Sequence, residues 1–414
     1  MIRHKVDVAV IGGGPAGLIA AAAAKENGAE KVYLLDRNHW LGGILPQCIH
    51  DGFGVGEMGE SLTGPEYAEI CLERAEKLGV TIMNETMALN LEGTSITAVN
   101  REGVHRIEAK SVVVATGCRE KTRWIAMIPG TRPSGVYTAG VAQAFINLYN
   151  RMIGKKVVIL GSGNVGLIMA RRLKLEGAEV IGVVEILPYA TGLPRNVVQC
   201  LEDYNIPLLL SHTVTEIHGQ ERLEGVTISQ VDEHLKPIKG TERYIECDTL
   251  LLSLGLLPEN ELLKSAGALL DPRTGGPVVN QDLETSLPGV FSCGNSLHVH
   301  DSVDMLAEEA RLAGKNAALY GMRKGPLKVI EVLPGQNVSY VLPQRIDRSG
   351  KVVISLRART TMKEGALLSV SDERKEIFRK KLRSAIPSTM IRIRVDITED
   401  VLNGEKLEVD ISER

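Results

Sequence analysis

The sequence predicts an α/β protein built from two units of one plan, the second inserted into the first, with a small all-β region at its C-terminus. Three observations predict it. A glycine fingerprint occurs twice, the landmarks behind each copy recur at the same offsets, and the apolar periodicity shortens after about Gly325. The first copy reads Val10-Ile11-Gly12-Gly13-Gly14-Pro15-Ala16-Gly17 and the second Ile159-Leu160-Gly161-Ser162-Gly163-Asn164-Val165-Gly166. Behind them come Ala21 and Ala170, Gly28 and Gly177, then Asp36 and Glu185. A single G-x-G-x-x-G arises easily by chance, whereas two copies agreeing at every later landmark are specific.

Each fingerprint follows an apolar strand (Val6 to Ile11, Lys156 to Leu160) and opens an alanine- or leucine-rich helix. The first glycine permits a tight turn, the second lets backbone approach a pyrophosphate, and the third packs helix on strand. Unpaired N–H groups and the positive end of the helix dipole then face the phosphates. Pro15 falls in the first helical turn, where its missing donor is harmless. Two such Rossmann-like units imply two dinucleotides. Asp36 and Glu185 end the second strand of their units, where a carboxylate accepts ribose hydroxyls and repels a 2′-phosphate. The second site is therefore expected to prefer NADH over NADPH. Arg37 follows directly and joins the first set.

A strand ending in glycine closes each unit: Val112 to Gly117, including Thr116, and Leu250 to Gly255. A third, Val290 to Gly294, followed by Asn295, has no unit of its own, so the simplest topology returns it to the first domain. The expected division is a discontinuous first nucleotide domain over 1–150 and 256–325, an inserted second nucleotide domain over 151–255, and a β domain over 326–414.

On these motifs the chain resembles the two-dinucleotide flavoproteins of the pyridine nucleotide-disulfide oxidoreductase fold, from about residue 5 to 322. The resemblance implies FAD in the first cradle and NAD(P)H in the second. Thr116-Gly117 resembles the turn that passes near the flavin, and Thr285 through Gly294 its closing flavin motif. There the family usually has Asp; Asn295 stands in its place and keeps an amide oxygen to accept a ribitol hydroxyl. Leu41-Gly42-Gly43-Ile44-Leu45-Pro46-Gln47-Cys48-Ile49-His50 and Cys293 to Asp301 are similar to one subgroup. That subgroup accompanies anaerobic glycerol-3-phosphate dehydrogenase-type flavoproteins and opine, hydroxyproline and sarcosine oxidase-like complexes. The resemblance implies an oligomeric electron-transfer subunit with a partner dehydrogenase flavoprotein and a small iron–sulfur subunit.

With 414 residues and a formal net charge of −3, the chain has room for several cores and no basic stripe for nucleic acid. The apolar run from Val8 to Ala24 contains the fingerprint and Pro15, so it reads as core rather than a membrane span or signal, and a cytoplasmic protein is expected. The six cysteines form neither CxxC nor CxxxxC, which argues against a local dithiol relay or a cysteine-ligated cluster.

Hydride transfer needs cofactor orientation more than acid–base groups. A helix over Asp304 to Tyr320, capped by Asp301, Ser302 or Asp304, would aim its start at the flavin. Cys48 is a candidate flavin-proximal thiol or else a packed small residue. His50, His298 and His300, with Asp301, are candidate proton carriers brought together by two motifs flanking one flavin, or else structural loop histidines. His298-Val299-His300-Asp301 has metal-like spacing, yet no third ligand stands at a suitable distance in sequence, so no metal centre is assigned. Tyr189-Ala190-Thr191-Gly192 and Arg195 are expected to shape the loop near NADH.

Beyond Gly325, short alternating strands (Val338 to Val341, Lys351 to Ala358, Arg374 to Phe378, Met390 to Ile397) predict a sandwich that docks a partner subunit, with an extension strapped across the flavin domain as the alternative. The sum is an FAD-dependent NAD(H) oxidoreductase, expected to relay electrons within a complex. The rivals are a stand-alone NADH oxidase or single-cysteine thiol-disulfide reductase, and a nucleotide-binding subunit without turnover.

Overall fold

A computed structural model describes residues 1–322 and 328–413. The chain forms two compact units, Met1–Cys118 with Pro258–Arg414, and Arg119–Leu257. In the first, a parallel sheet runs in the order Thr81–Met83, Val32–Leu35, Ile2–Ile11, Gly103–Val114. The antiparallel strands Ser95–Asn100 and Met87–Glu92 extend it. Val290–Ser292 returns to this sheet, parallel to Val112–Val114, so the second unit is an insertion.

The helices that follow two of these strands are joined by small residues. Ala16 through Ala24 are all buried in the helix Pro15–Glu26. The helix Val303–Ala318 lies so close that a Cβ added at Gly314 would strike the Ala20 carbonyl. Leu306, Ala310, Ala313 and Ala317 are buried, in keeping with a 3.6-residue period. Both helices follow parallel strands, so both begin at the carboxyl edge of the sheet, where open α/β sheets bind ligands.

The second unit has a parallel sheet in the order Leu208–Leu209, Glu179–Val184, Lys156–Leu160, Thr249–Leu252, Val136–Thr138, beside an antiparallel meander. The helix Ala139–Asn147 buries Ala139, Ala142 and Ile146 in the same core as Val157 and Leu167. Residues 119–150, assigned to the first domain from sequence, thus belong with this unit.

The C-terminal region is two sheets around one core. The larger runs Arg345–Ile346, Ile330–Pro334, Lys406–Glu413, Ala366–Ser371, Glu376–Leu382; the smaller runs Val338–Leu342, Gly350–Ala358, Met390–Ile397. Ile354, Leu356, Leu368, Val370, Val409 and Ile411 fill the space between them. The strand expected at Arg374 begins at Glu376, because Asp372 Oδ1 accepts the N–H groups of Arg374 and Lys375 and makes a turn there. No helix among the described residues is long and apolar enough to cross a membrane.

Candidate functional site

In the first cradle Gly12 adopts φ +107°, and a Cβ there would strike the Ala115 carbonyl on the neighbouring strand. A Cβ at Gly17 would strike the Gly12 carbonyl. Gly14 differs: an added Cβ meets nothing closer than 3.7 Å, the Cα of Gly43. The fold itself does not require glycine at this position, whereas the close approach of a phosphate does. Gly14 caps the helix Pro15–Glu26 in extended conformation, without a side-chain cap, so Ala16 and Gly17 sit in a first turn suited to an anion. Gly42 donates its N–H to the Gly13 carbonyl at 2.8 Å, laying the Gly42-Gly43 turn over the cradle. Asp36, buried, takes the Gly13 N–H on Oδ2 at 2.6 Å and the Asn38 N–H on Oδ1 at 2.7 Å. Arg37 beside it is exposed.

The second cradle repeats this geometry. Gly161 has φ +100° under the Ser253 carbonyl, and Gly163, the extended N-cap of Asn164–Leu175, has no protein atom within 3.5 Å of an added Cβ except Ser253 Oγ. Val165 and Gly166 fill the first turn, and Gly166 donates its N–H to Ser253 Oγ at 3.1 Å. Glu185, also buried, takes the Ser162 N–H at 2.9 Å and the Leu187 N–H at 2.9 Å. Thr191 donates its N–H to Ser162 Oγ at 2.9 Å and Gly192 donates its own to the Ser162 carbonyl at 2.8 Å, so the 189–192 loop closes on the fingerprint. Asn164 Oδ1 accepts from Leu193 N and Asn196 Nδ2, drawing the segment around Arg195 to the same place. The glycines that a Cβ would not crowd, the uncapped helix starts and the paired carboxylates fit FAD and NAD(P)H.

Two turns complete the set. Thr116 Oγ1 donates to the Glu259 carbonyl at 2.7 Å and Gly117, at φ +74°, accepts the Glu259 N–H. Gly255, at φ +94°, accepts the Lys121 N–H. At Gly294-Asn295 the expectation changes. Asn295 Oδ1 accepts the His300 N–H at 3.0 Å and faces His300 Nδ1 at 3.3 Å. Its oxygen is already engaged, so the group it offers a ribitol hydroxyl is the Nδ2 donor, which also reaches Cys118 Sγ at 3.5 Å. Ser302 caps the helix Val303–Ala318 by accepting the Met305 N–H; Asp301 instead bonds Arg357 and the Met390 N–H, and Asp304 takes the N–H groups of Gly56 and Glu57.

The proposed chemical groups have distinct local partners. Cys48 donates its thiol to the Ile44 carbonyl at 3.4 Å, and burial pushes the thiol up to about 12. A reactive cysteine needs the thiolate, so this environment favours the protonated, packed form of Cys48 over an activated thiol. His50 bonds the Asp51 carbonyl and leans on Phe53 at 5.1 Å, both local contacts. His298 and His300 come together, 4.3 Å between ring centroids, around Glu309. Burial lowers the His298 pKa. Burial is the largest single influence on the Glu309 carboxyl and raises its pKa, but the two imidazoles together outweigh it and hold the carboxyl well below the usual range. Sequence reasoning missed Glu309. Its signal was an acid on the buried face, three residues after Leu306 and next to Ala310.

Together the fold and the paired cradles define a two-nucleotide oxidoreductase of the flavoprotein class. The family model of pyridine nucleotide-disulphide oxidoreductases matches residues 6–314, and the chain belongs to that family, whose cofactors are FAD and NAD(P)H. It is 27% identical over 296 residues to an NADH dehydrogenase of Bacillus subtilis, covering 71% of this chain and 54% of that protein. It is 26% identical over 340 residues to an opine oxidase component of Agrobacterium tumefaciens, covering 76% and 64%. The chain thus spans about half to two thirds of the length of these relatives, 54% of the first and 64% of the second. Among solved structures, the thioredoxin reductase of T. acidophilum superposes with a TM-score of 0.63 at 23% identity, covering 77% of this chain and all of that one, a likeness of fold.

Proposed function

We propose that the chain is an FAD-dependent NAD(H) oxidoreductase acting as the electron-transfer subunit of a multi-subunit dehydrogenase. The observation that carries the reading is the duplicated cradle, in which one carboxylate grips the fingerprint backbone in each unit. When bound, FAD supplies hydride acceptance from NADH and onward release of electrons. The residues themselves bind and orient. Gly12, Gly14 and Gly17, with Asp36, Gly42 and Gly43, hold one dinucleotide, and Gly161, Gly163 and Gly166, with Glu185, hold the other. The carboxylate of Glu185 disfavours the extra phosphate of NADPH by like-charge repulsion.

A partner is supported by the likeness to a protein named as one component of an oxidase. The partner would be a glycerol-3-phosphate or amino-acid/opine dehydrogenase-type flavoprotein, with a small iron–sulfur subunit, docked on the C-terminal sheets. Anaerobic addition of NADH to FAD-loaded protein tests the core of the reading: the visible flavin band bleaches within the mixing time, whereas a persistently yellow protein would reject it. Purifying the native assembly tests the partner. The likeness to an NADH dehydrogenase favours a second reading, a self-sufficient NADH oxidase, which rapid peroxide or water formation by the isolated chain would select.

A further inference from the structure

The loop after Val290–Ser292 and the second turn of Val303–Ala318 bring three ligating side chains to one point. Ligand atoms of His298, His300 and Glu309 all lie within 4.8 Å of one another. Glu309 Oε2 is 2.8 Å from His298 Nε2 and 3.4 Å from His300 Nε2. The side chains are 1%, 3% and 6% exposed, so solvent does little to screen the arrangement.

Each ligand is also held from behind. His298 Nδ1 meets the Tyr340 hydroxyl at 3.1 Å, and Glu309 Oε1 accepts the Gly294 N–H at 2.7 Å. His300 Nδ1 meets Asn295 Oδ1 at 3.3 Å. The His300 backbone N–H, which is only a donor, fixes that Asn295 atom as the oxygen. His300 Nδ1 must therefore donate. In a neutral ring this leaves the Nε2 lone pair facing the Glu309 carboxylate, acceptor against acceptor at 3.4 Å. A proton on His300 or a cation between the two groups would satisfy that pair.

We propose that His298, His300 and Glu309 bind a divalent transition cation of the zinc class. Two imidazole nitrogens and one carboxylate oxygen suit zinc, cobalt or ferrous iron and do not suit calcium or magnesium, which favour oxygen. Histidine ligands are ordinarily oriented by a hydrogen bond at their other nitrogen, the pattern found at both rings. Three protein ligands leave one tetrahedral position to a non-protein ligand. The ion ties the 294–300 loop to the helix and, through Tyr340, to the C-terminal sheets. This site goes beyond the nucleotide cradles, which hold no metal ligand in the proposed function.

The test uses the full FAD-loaded chain, stripped with chelator and titrated with zinc chloride alone by calorimetry, with cobalt substitution read in the visible spectrum. Wild-type protein takes up one zinc per chain with cobalt bands of a tetrahedral nitrogen–oxygen site. His300→Gln and Glu309→Gln abolish stoichiometric uptake, and Tyr340→Phe, which removes only the supporting hydroxyl, weakens it about 10–100-fold. If either ligand variant fails to fold, wild type and Tyr340→Phe decide the matter. No saturable binding by wild type, or equal binding by the variants, would overturn the proposal and leave a protonated histidine–carboxylate cluster only.

Discussion

The two nucleotide cradles share a backbone and differ in what decorates it. Asp36 and Glu185 each take the N–H of the residue after the first glycine, at 2.6 and 2.9 Å, and the N–H two residues further along their own chain, at 2.7 and 2.9 Å. Even the covering turns correspond: Gly42 donates to the Gly13 carbonyl and Gly192 to the Ser162 carbonyl, both at 2.8 Å. The first cradle, however, is closed by backbone against backbone, with a Cβ on Gly43 only 3.0 Å from the Gly14 Cα. The second is closed by side chains. Ser162 Oγ bonds Glu185 at 2.6 Å and receives the Thr191 N–H, while Asn164 holds Leu193 and Asn196. Side-chain hydrogen bonds exchange partners at a net of about 1 kcal/mol each, whereas packed backbone yields little. The difference suits a resident cofactor in the first unit and an exchanging one in the second.

The largest effects break one cradle at a time. In Gly14→Val the new side chain occupies the phosphate approach, with its Cβ 3.7 Å from the Gly43 Cα; at about 3 kcal/mol, the upper end of overpacking, FAD affinity falls more than about a hundredfold. Circular dichroism of the apoprotein stays unchanged while flavin content is lost. Gly163→Val keeps its flavin and loses NADH reduction by a similar factor. If Gly163→Val instead sheds flavin, the assignment of the two cradles is reversed.

Smaller effects sharpen the comparison. Glu185→Gln removes a charge while keeping most of the hydrogen bonds, and the ratio of NADH to NADPH efficiency drops by at least about tenfold. An unchanged ratio would show that the carboxylate does not select the nucleotide. Ser162→Ala removes the hydroxyl from Glu185 and Thr191, and NADH affinity falls about fivefold with flavin content untouched, the worth of about 1 kcal/mol. Stopped-flow reduction at varied NADH measures both.

The cradles were legible because local rules govern them: a tight turn, a backbone approach and a strand-end acid all lie within one stretch of chain. The return of Val290–Ser292 was legible from its likeness to Val112–Val114. Other parts were less so. Ala366–Ser371 buries Ala366, Leu368 and Val370, but Leu367 between them blurs the alternation. Lys406–Glu413 alternates cleanly, with Leu407, Val409 and Ile411 inside, although its neighbours Ile330–Pro334 and Ala366–Ser371 lie far away in sequence. The helix Ala139–Asn147 carries no sign of which sheet it will cover. The histidine cluster was half legible: His298 and His300 form a local pattern, but Glu309 reaches them only through the fold.

The smallest effect concerns Cys48, beside the first cradle and without a counterpart in the second. Its ordinary thiol value of 9.0 is raised by burial to about 12, so at pH 8 native Cys48 carries about a thousandfold less thiolate. Iodoacetamide therefore leaves Cys48 unmodified in the native protein at pH 8 and alkylates it after denaturation, as peptide mass mapping would show. Because the folded state holds the proton more tightly, this group favours the fold below pH 9.0 and opposes it as the pH rises from there towards about 12. Cys48→Ser accordingly keeps NADH-to-acceptor turnover within about twofold and softens the alkaline loss of stability. Rapid native alkylation, or a variant stripped of turnover, would return the thiol to the reaction and make the first cradle more than a holder of its cofactor.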